Sequence, residues 1–431
     1  MRDHRPVAEA APVPEERLDR QLRIPGWNQE ALSRARVGVC GDDPWLTGLV
    51  VAGAAALGLG ELTVVAPALD PRLAAAARGL HPGLRLSFFP GYFSHPLLED
   101  LWRGCEVLVD VSHYGLAGKL LLNLAHRQGI PLVRGGELAP PGRRGFKVFT
   151  YQPGREWREL LELPGSRQLP GPRRGDPVLA LMVAGLVLEE VKKVLLGEPV
   201  TPAVVRYEGG RAPGASLAPL RPLMAGAGAL GNFVGLGLAA AGCPELVCLD
   251  PDVVEITNLN RQILFWDKVG EPKARALARR LKEWFGINTH GHEAYAGPDT
   301  DFSGCDVVFE CTDNFESRII LSETCRDLGL RFISGGAGVA AGQVVGYDPR
   351  EGGPTPAALL GLYEIVAGRD VPSAPRDRAS CVYQPDPAVI MTNLVVAGLM
   401  LEACRRLLAG EENSPLFYDA RAEEMLSGFS Q

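Results

Sequence analysis

No two cysteines in this sequence are spaced as C-x-x-C, although nine are present, at 40, 105, 243, 248, 305, 311, 325, 381 and 404. An odd count without such pairs in a long chain excludes a disulfide scaffold and a tetra-cysteine zinc site. Most of them stand in apolar strings such as VGVCG and LVCLD, where a small buried hydrophobe is the ordinary reading. Long apolar runs are missing too. The longest, Leu46–Gly60, is broken by Thr47 and four glycines and falls short of the roughly 20 residues a bilayer span needs. The opening string MRDHRPVAEAAPVPEER holds no apolar signal core, so the expectation is a cytoplasmic protein without a membrane partner. Basic tracts are absent and the net charge is −7, which argues against a nucleic-acid partner. Lysine is scarce, only seven of the 44 cationic residues. A lysine beside a phosphate-binding motif is therefore notable.

What remains is an ordinary globular mix, 46% hydrophobic and 22% charged. At roughly 100–200 residues per domain, 431 residues predict two to three domains. Comparing the chain with itself sharpens this. GCEVLVDVSHYGLAGKLLLNLAHRQGIPLVRGGE (104–137) aligns without a gap on GCDVVFECTDNFESRIILSETCRDLGLRFISGGA (304–337), an offset of 200. VAGLVLEEVKKVLLGE (183–198) matches VAGLMLEACRRLLAGE (396–411) at offset 213, and RVGVCGDD (36–43) matches RPLMAGAG (221–228) at offset 185. Three matches in one order predict a duplicated domain. We expect 1–200 as the first unit, 201–221 as a Gly/Pro-rich linker and 222–431 as the second unit.

In the second unit PLMAG, ELVCLD and DVVFECT read as strands, while NFVGLGLAAAG and KARALARRLKEWFG have helical spacing. Such alternation predicts an α/β fold, two tandem doubly wound, Rossmann-like sheets. Gly226, Gly228 and Gly231 follow a strand and open a helix, the arrangement that brings backbone N–H groups to phosphate oxygens. Asp250 closes the next strand, where an acid can accept hydrogen bonds from a ribose. This much fits any nucleotide, NAD included.

The following residues narrow it. Asp250-Pro-Asp252, Thr257-Asn258-Leu259-Asn260-Arg261-Gln262, Gly270-Glu-Pro-Lys273 and Cys311-Thr-Asp313-Asn314 stand in that order after the glycine loop. The string resembles the adenylating enzymes that activate ubiquitin-like proteins, namely ubiquitin-activating enzymes and the sulfur-carrier adenylyltransferases of the ThiF/MoeB/HesA group. Arg17-Leu-Asp-Arg20-Gln21-Leu22 is similar to the R-Y-x-R-Q-I opening of that family.

The resemblance implies ATP as the nucleotide and Mg²⁺ as the metal, with the carboxylate of a ubiquitin-like or sulfur-carrier protein as the group activated. It puts Lys273 and Arg261 on the phosphates, Asn258 as a hydrogen-bond donor to them, Asp250 on the ribose and Asp252 on the turn or the metal. Asp313 is the implied Mg²⁺ ligand. Read singly, Lys273 could be solvated, Arg261 tied to a surface acid and Asp313 a helix cap; the set favours the site. In the first unit the loop reads Gly41-Asp42-Asp43-Pro44-Trp45-Leu46, and His113 replaces Asp313. Two carboxylates repel a triphosphate, so that unit is expected to be inactive. It alone carries Arg20, which the family uses on the partner subunit's nucleotide, so a fused pseudo-dimer is expected, with Arg20 serving the second unit.

Departures from the family matter as well. Its paired C-x-x-C zinc ligands are absent around GGPTPAALLGLY, so no zinc is expected. The sequence stops soon after YDAR, which leaves no segment for a ubiquitin-fold domain, although a conjugating enzyme or a sulfur donor remains an implied partner class. Cys381, in a polar stretch with Arg369, Arg376 and Arg378, is the candidate nucleophile for a thioester, since nearby cations favour the thiolate. Alternatives are adenylation of another carboxylate, on a peptide or a modified tRNA base, an NAD-dependent oxidoreductase, and a nucleotide-binding scaffold without turnover.

Overall fold

The computed structural model describes residues 15–138, 142–154, 175–211, 214–368, 386–411 and 414–428. Apolar runs that alternate with helical stretches form two sheets. The first contains β1 (Arg36–Gly41), β2 (Glu61–Ala66), β3 (Arg85–Pro90), β4 (Val107–Val111), β5 (Leu132–Gly136), β6 (Arg143–Tyr151) and β7 (Val205–Arg211), in the order β3-β2-β1-β4-β5-β6-β7. Its strands are parallel from β3 to β5 and antiparallel from β5 to β7. The second contains β8 (Pro222–Ala225), β9 (Glu245–Leu249), β10 (Asn288–His292), β11 (Val307–Glu310), β12 (Arg331–Ala337), β13 (Ala341–Tyr347), β14 (Leu416–Asp419) and β15 (Leu426–Ser427). Its order, β10-β9-β8-β11-β12-β13-β14-β15, repeats the first with one strand added. Central strands such as β4 and β11 are buried along their length, as parallel strands covered on both faces must be.

The stretch 201–221 is not simply a linker. β7 lies within it and completes the first sheet against β6, because Val205 and Tyr207 have apolar faces to bury.

Four helices lie between the sheets: Pro44–Leu57, Pro177–Leu196, Ala229–Ala240 and Ile390–Ala409. They are apolar nearly all round, which suits helices with no solvent face. Gly185 and Gly398, matched in sequence, let the two longest cross closely. A Cβ on Gly185 would lie 2.7 Å from Val395 Cγ2 and 2.8 Å from Met391 O, and one on Gly398 would lie 2.3 Å from Met182 Cγ and 3.2 Å from Val178 O. Since 391 and 395 match 178 and 182 at the same offset, the crossing is reciprocal. The largest apolar cluster runs through both halves, and each sheet carries a smaller one of its own, around Trp102 in the first and Phe332 in the second. At its edge, Arg405 Nη1 meets Asp176 Oδ2 at 2.6 Å, while Arg144 and Tyr207 both bond the buried Glu402. No helix among the described residues is long and apolar enough to cross a membrane.

Candidate active site

β8 ends at Ala225 and the chain turns at Gly226, whose φ is +97°. A Cβ there would also lie 2.7 Å from the Cys311 carbonyl oxygen, so no side chain fits. A Cβ on Gly231 would lie 2.0 Å from Gly226 O, so this glycine lets the Ala229–Ala240 helix close on the loop. Gly228 differs. Nothing lies within 4 Å of the place its Cβ would take, and as N-cap it offers no side-chain acceptor. The first-turn N–H groups and the positive end of the helix are left to an anion.

The corresponding helix of the first sheet, Pro44–Leu57, begins in the opposite way. Its N-cap, Asp43, accepts from Trp45 N at 2.8 Å and Leu46 N at 3.3 Å through Oδ1, and from Gly175 N at 2.7 Å through Oδ2. Asp42 accepts from His113 N at 2.6 Å and lies 3.0 Å from His113 Nδ1. Carboxylates of the protein occupy the donors that a phosphate would need.

Beside the open loop, Asp250 is buried. Its Oδ2 accepts from Ala227 N at 2.7 Å and its Oδ1 from Asp252 N at 2.8 Å. Burial pushes its carboxyl upward, opposed first by the charge of Lys273. Lys273 opens the Lys273–Phe285 helix, and its Nζ bonds Asp252 Oδ2 at 2.9 Å. Asn258 closes a capping box with Glu255, accepting from Glu255 N at 3.0 Å. The segment that follows is tied to the helix of the glycine loop by Leu264 N, which donates to Asn232 Oδ1 at 3.0 Å.

The 17–22 arm of the first half reaches this segment. Its turns, Glu15–Leu18 and Asp19–Leu22, pack on the Ile256–Asn258 turn. Arg17 Nη1 holds the carbonyls of Ala55 and Ala56 at 3.2 and 2.8 Å, and burial pulls its guanidinium down to about 10. Arg20 Nη1 donates to Asp386 O at 2.9 Å, and its Nε has no hydrogen-bond partner among the described residues. Arg261 is buried and its guanidinium is drawn down to about 9, by burial first and by the like charge of Arg20 next. Like charges on neighbouring guanidiniums are relieved by an anion.

Asp313 follows β11, is exposed and has no hydrogen bond or ion pair among the described residues. It is not the cap of the next helix; Asn314 is, accepting from Ser317 N at 2.7 Å. Cys381 lies outside the described residues. Of the eight described thiols, all free, seven are buried, and burial pushes Cys105 and Cys243 up to about 11. No group of three or more His, Cys, Asp or Glu able to hold a metal occurs among the described residues. The motif that contains Asn260 gives it no role, although its Nδ2 bonds Gln21 Oε1 at 3.2 Å. Only the adjacency of Gln21 to Arg20 hinted at it.

The ThiF family profile matches residues 210–425. The chain belongs to the ThiF family. Among curated ThiF relatives, the adenylyltransferase and sulfurtransferase uba4 of Aspergillus niger is 31% identical over 216 residues, 45% of this chain and 40% of that one. The SAMP-activating enzyme E1 of Haloferax volcanii is 35% identical over 144 residues, 30% of this chain and 50% of that one. The chain thus spans half or less of the length of these relatives. A crystal structure of E. coli MccB with ATP is similar at 18% identity and a TM-score of 0.38, over 50% of this chain and 64% of that one, a likeness too slight to argue from.

Proposed function

We propose that this ThiF-family chain adenylates the C-terminal carboxylate of a ubiquitin-like or sulfur-carrier protein with ATP, using one working site in a fused pair of Rossmann-like units. The pair is 1–200, carried on to Arg211 by β7, and 222–431. The reciprocal crossing at Gly185 and Gly398 supports a pseudo-dimer, since a two-fold interface makes each contact twice, residue i of one half against j of the other and j against i. One observation carries the assignment of the working site. The helix start at Gly228 is uncapped, whereas its counterpart is filled by Asp43.

In the reaction a carboxylate oxygen attacks the α-phosphorus of ATP, the bond to the β-phosphate breaks, and pyrophosphate leaves. Roughly five negative charges meet, so neutralisation and in-line positioning supply most of the acceleration. Gly226, Gly228 and Gly231 would cradle the phosphates, with Asn258, Arg261, Lys273 and Arg20 around them. Asp250 would hold the ribose and Asp252 would orient Lys273. A carboxylate at Asp313 that is exposed and has no partner among the described residues fits Mg²⁺, which prefers carboxylate and phosphate oxygens and neutralises charge on the phosphates. A thioester could follow if the Cys381 thiolate attacks the acyl-adenylate carbonyl, forming a C–S bond and releasing AMP.

ATP–pyrophosphate exchange tests the reading. It should depend on a small ubiquitin-like carrier and vanish when the carrier's C-terminus is amidated. Exchange with a peptide or tRNA carboxylate instead would redirect the substrate. Carrier-independent reduction of NAD would replace adenylation with oxidoreduction.

A further inference from the structure

Between the arm and Arg261 runs a chain of side-chain amides whose orientation is set from both ends. At one end Trp27 Nε1, which can only donate, lies 3.0 Å from Gln29 Oε1. That oxygen also accepts from Gln21 Nε2 at 2.6 Å, and the same nitrogen donates to Leu57 O at 3.0 Å. Gln21 must therefore turn Oε1 the other way, where it accepts from Asn260 Nδ2 at 3.2 Å. Asn260 Nδ2 also donates to Ala388 O at 2.9 Å. This leaves Asn260 Oδ1 facing the other donor-only group, Arg261 Nη1, at 2.7 Å. Gln21 and Asn260 are both fully buried, so no water can substitute for a lost partner without a cost.

We infer that Gln21 is a positioning residue for Arg261, acting through Asn260 to aim the guanidinium at the bound phosphates. The inference rests on the adenylation reading above, and it gives the first half a second contribution to the site besides Arg20. Were Gln21 unable to accept, Asn260 would have reason to rotate and its nitrogen would face Arg261; Nη1 would keep only the Thr257 carbonyl, at 2.9 Å, and the guanidinium would lose one of its two anchors and shift.

The test compares affinity for ATP with affinity for adenosine in the full chain by calorimetry, because only the phosphates should notice Arg261. Gln21→Met should weaken ATP binding about tenfold, the scale of one misdirected charge-assisted hydrogen bond, and leave adenosine binding unchanged. Gln21→Glu keeps an acceptor toward Asn260 but loses both donors, so it should stay nearer to wild type than Gln21→Met. If Gln21 only packs, the order reverses, because Gln21→Glu buries a carboxylate against Leu57 O and Gln29 Oε1. Gln21→Asn, which draws the acceptor back by one methylene, repeats the loss should Gln21→Met not fold. Equal weakening of ATP and adenosine, or Gln21→Glu worse than Gln21→Met, overturns the inference alone. A wild-type chain that binds ATP no more tightly than adenosine overturns the adenylation reading with it.

Discussion

Asp43 and Gly228 occupy the same position in the two sheets, each the residue before a helix that follows the first strand, and they leave that position in opposite states. The carboxylate of Asp43 takes the N–H groups of Trp45, Leu46 and Gly175. Gly228 takes none from its helix through a side chain, and the space beside it is open. Gly228→Asp should therefore close the proposed phosphate site without harming the fold. Its φ of −66° suits any residue, and Asp at an N-cap is at least as favourable as Gly. We expect ATP binding to be lost while Tm stays level or rises. The reverse change, Asp43→Ala, should cost about 1 kcal/mol or somewhat more, for a lost cap, and leave exchange unaltered. Retained ATP binding by Gly228→Asp would move the phosphates elsewhere.

Lys273→Ala and Asp313→Ala should both abolish acyl-adenylate formation, for different reasons. Lys273 is a buried cation, and in the proposed site its loss would strip several kcal/mol from the transition state. Removing it also breaks the 2.9 Å bond to Asp252, so a modest drop in Tm is expected. Asp313 is exposed and unpaired among the described residues, so its variant should melt within about 0.5 kcal/mol of wild type. Pyrophosphate exchange and thermal melts on the same preparations separate the two effects. Near-normal exchange in either variant would remove that residue from the site.

The motifs were legible because their chemistry is local. Gly226 to Gly231, Asp250 to Lys273 and the Cys311–Asn314 string each lie within a few residues of one loop, and a spacing rule can find them. The strands on either side were legible as apolar runs. Contacts made across the fold were not. Gln21 and Asn260 are 239 residues apart, and nothing in either local string announces the bond. The buried acids of β4 and β11 make the same point. Glu310 lies 3.6 Å from Arg318 Nε, on the following helix, whereas Asp110 lies 3.5 Å from Arg134 Nε, on β5. At the position matching Arg318 stands Gly118, where a Cβ would lie 2.3 Å from Arg134 Nη1. An arginine was exchanged between elements while its partner stayed put, and an alignment by position alone shows only two mismatches. β7 was read as linker because VRYEGGR has too few apolar residues to mark a strand without β6 beside it.

His81 ties acid stability to the arm. It is buried, its Nδ1 has no partner among the described residues, and its imidazole is held down at about 4, by burial first and by Arg17 next, against the pull of the Leu59 carbonyl. Below its ordinary value near 6.5 the unfolded chain takes up a proton that the folded chain refuses. Stability should then fall as the pH drops from about 6.5 toward 4, by up to about 3 kcal/mol. His81→Gln should flatten that part of the curve without changing stability at neutral pH by a comparable amount. Urea melts at intervals across this range give the slope. An unchanged slope in the variant would assign the acid loss to other groups.

Arg17 and Arg20 stand three residues apart in one arm, and the structure separates their work. Arg17 is buried and bonds the last carbonyls of the Pro44–Leu57 helix, so Arg17→Ala should lower stability by about 1–3 kcal/mol, the cost of orphaned buried acceptors. Arg20 is half-buried, bonds one carbonyl, has no hydrogen-bond partner for Nε among the described residues, and its charge acts on the guanidinium of Arg261. Arg20→Ala should melt almost as wild type yet slow pyrophosphate exchange by about 10²-fold or more, as the loss of an arginine supplied across an interface does in other nucleotide enzymes. Arg20→Lys should recover only part of this, because an ammonium cannot make the planar fork. A chain cut to 215–431 loses both arginines and strips Pro177–Leu196 from the buried face of Ile390–Ala409, so it should aggregate and show no exchange. Full exchange from Arg20→Ala would leave the first half with a purely structural part in the reaction.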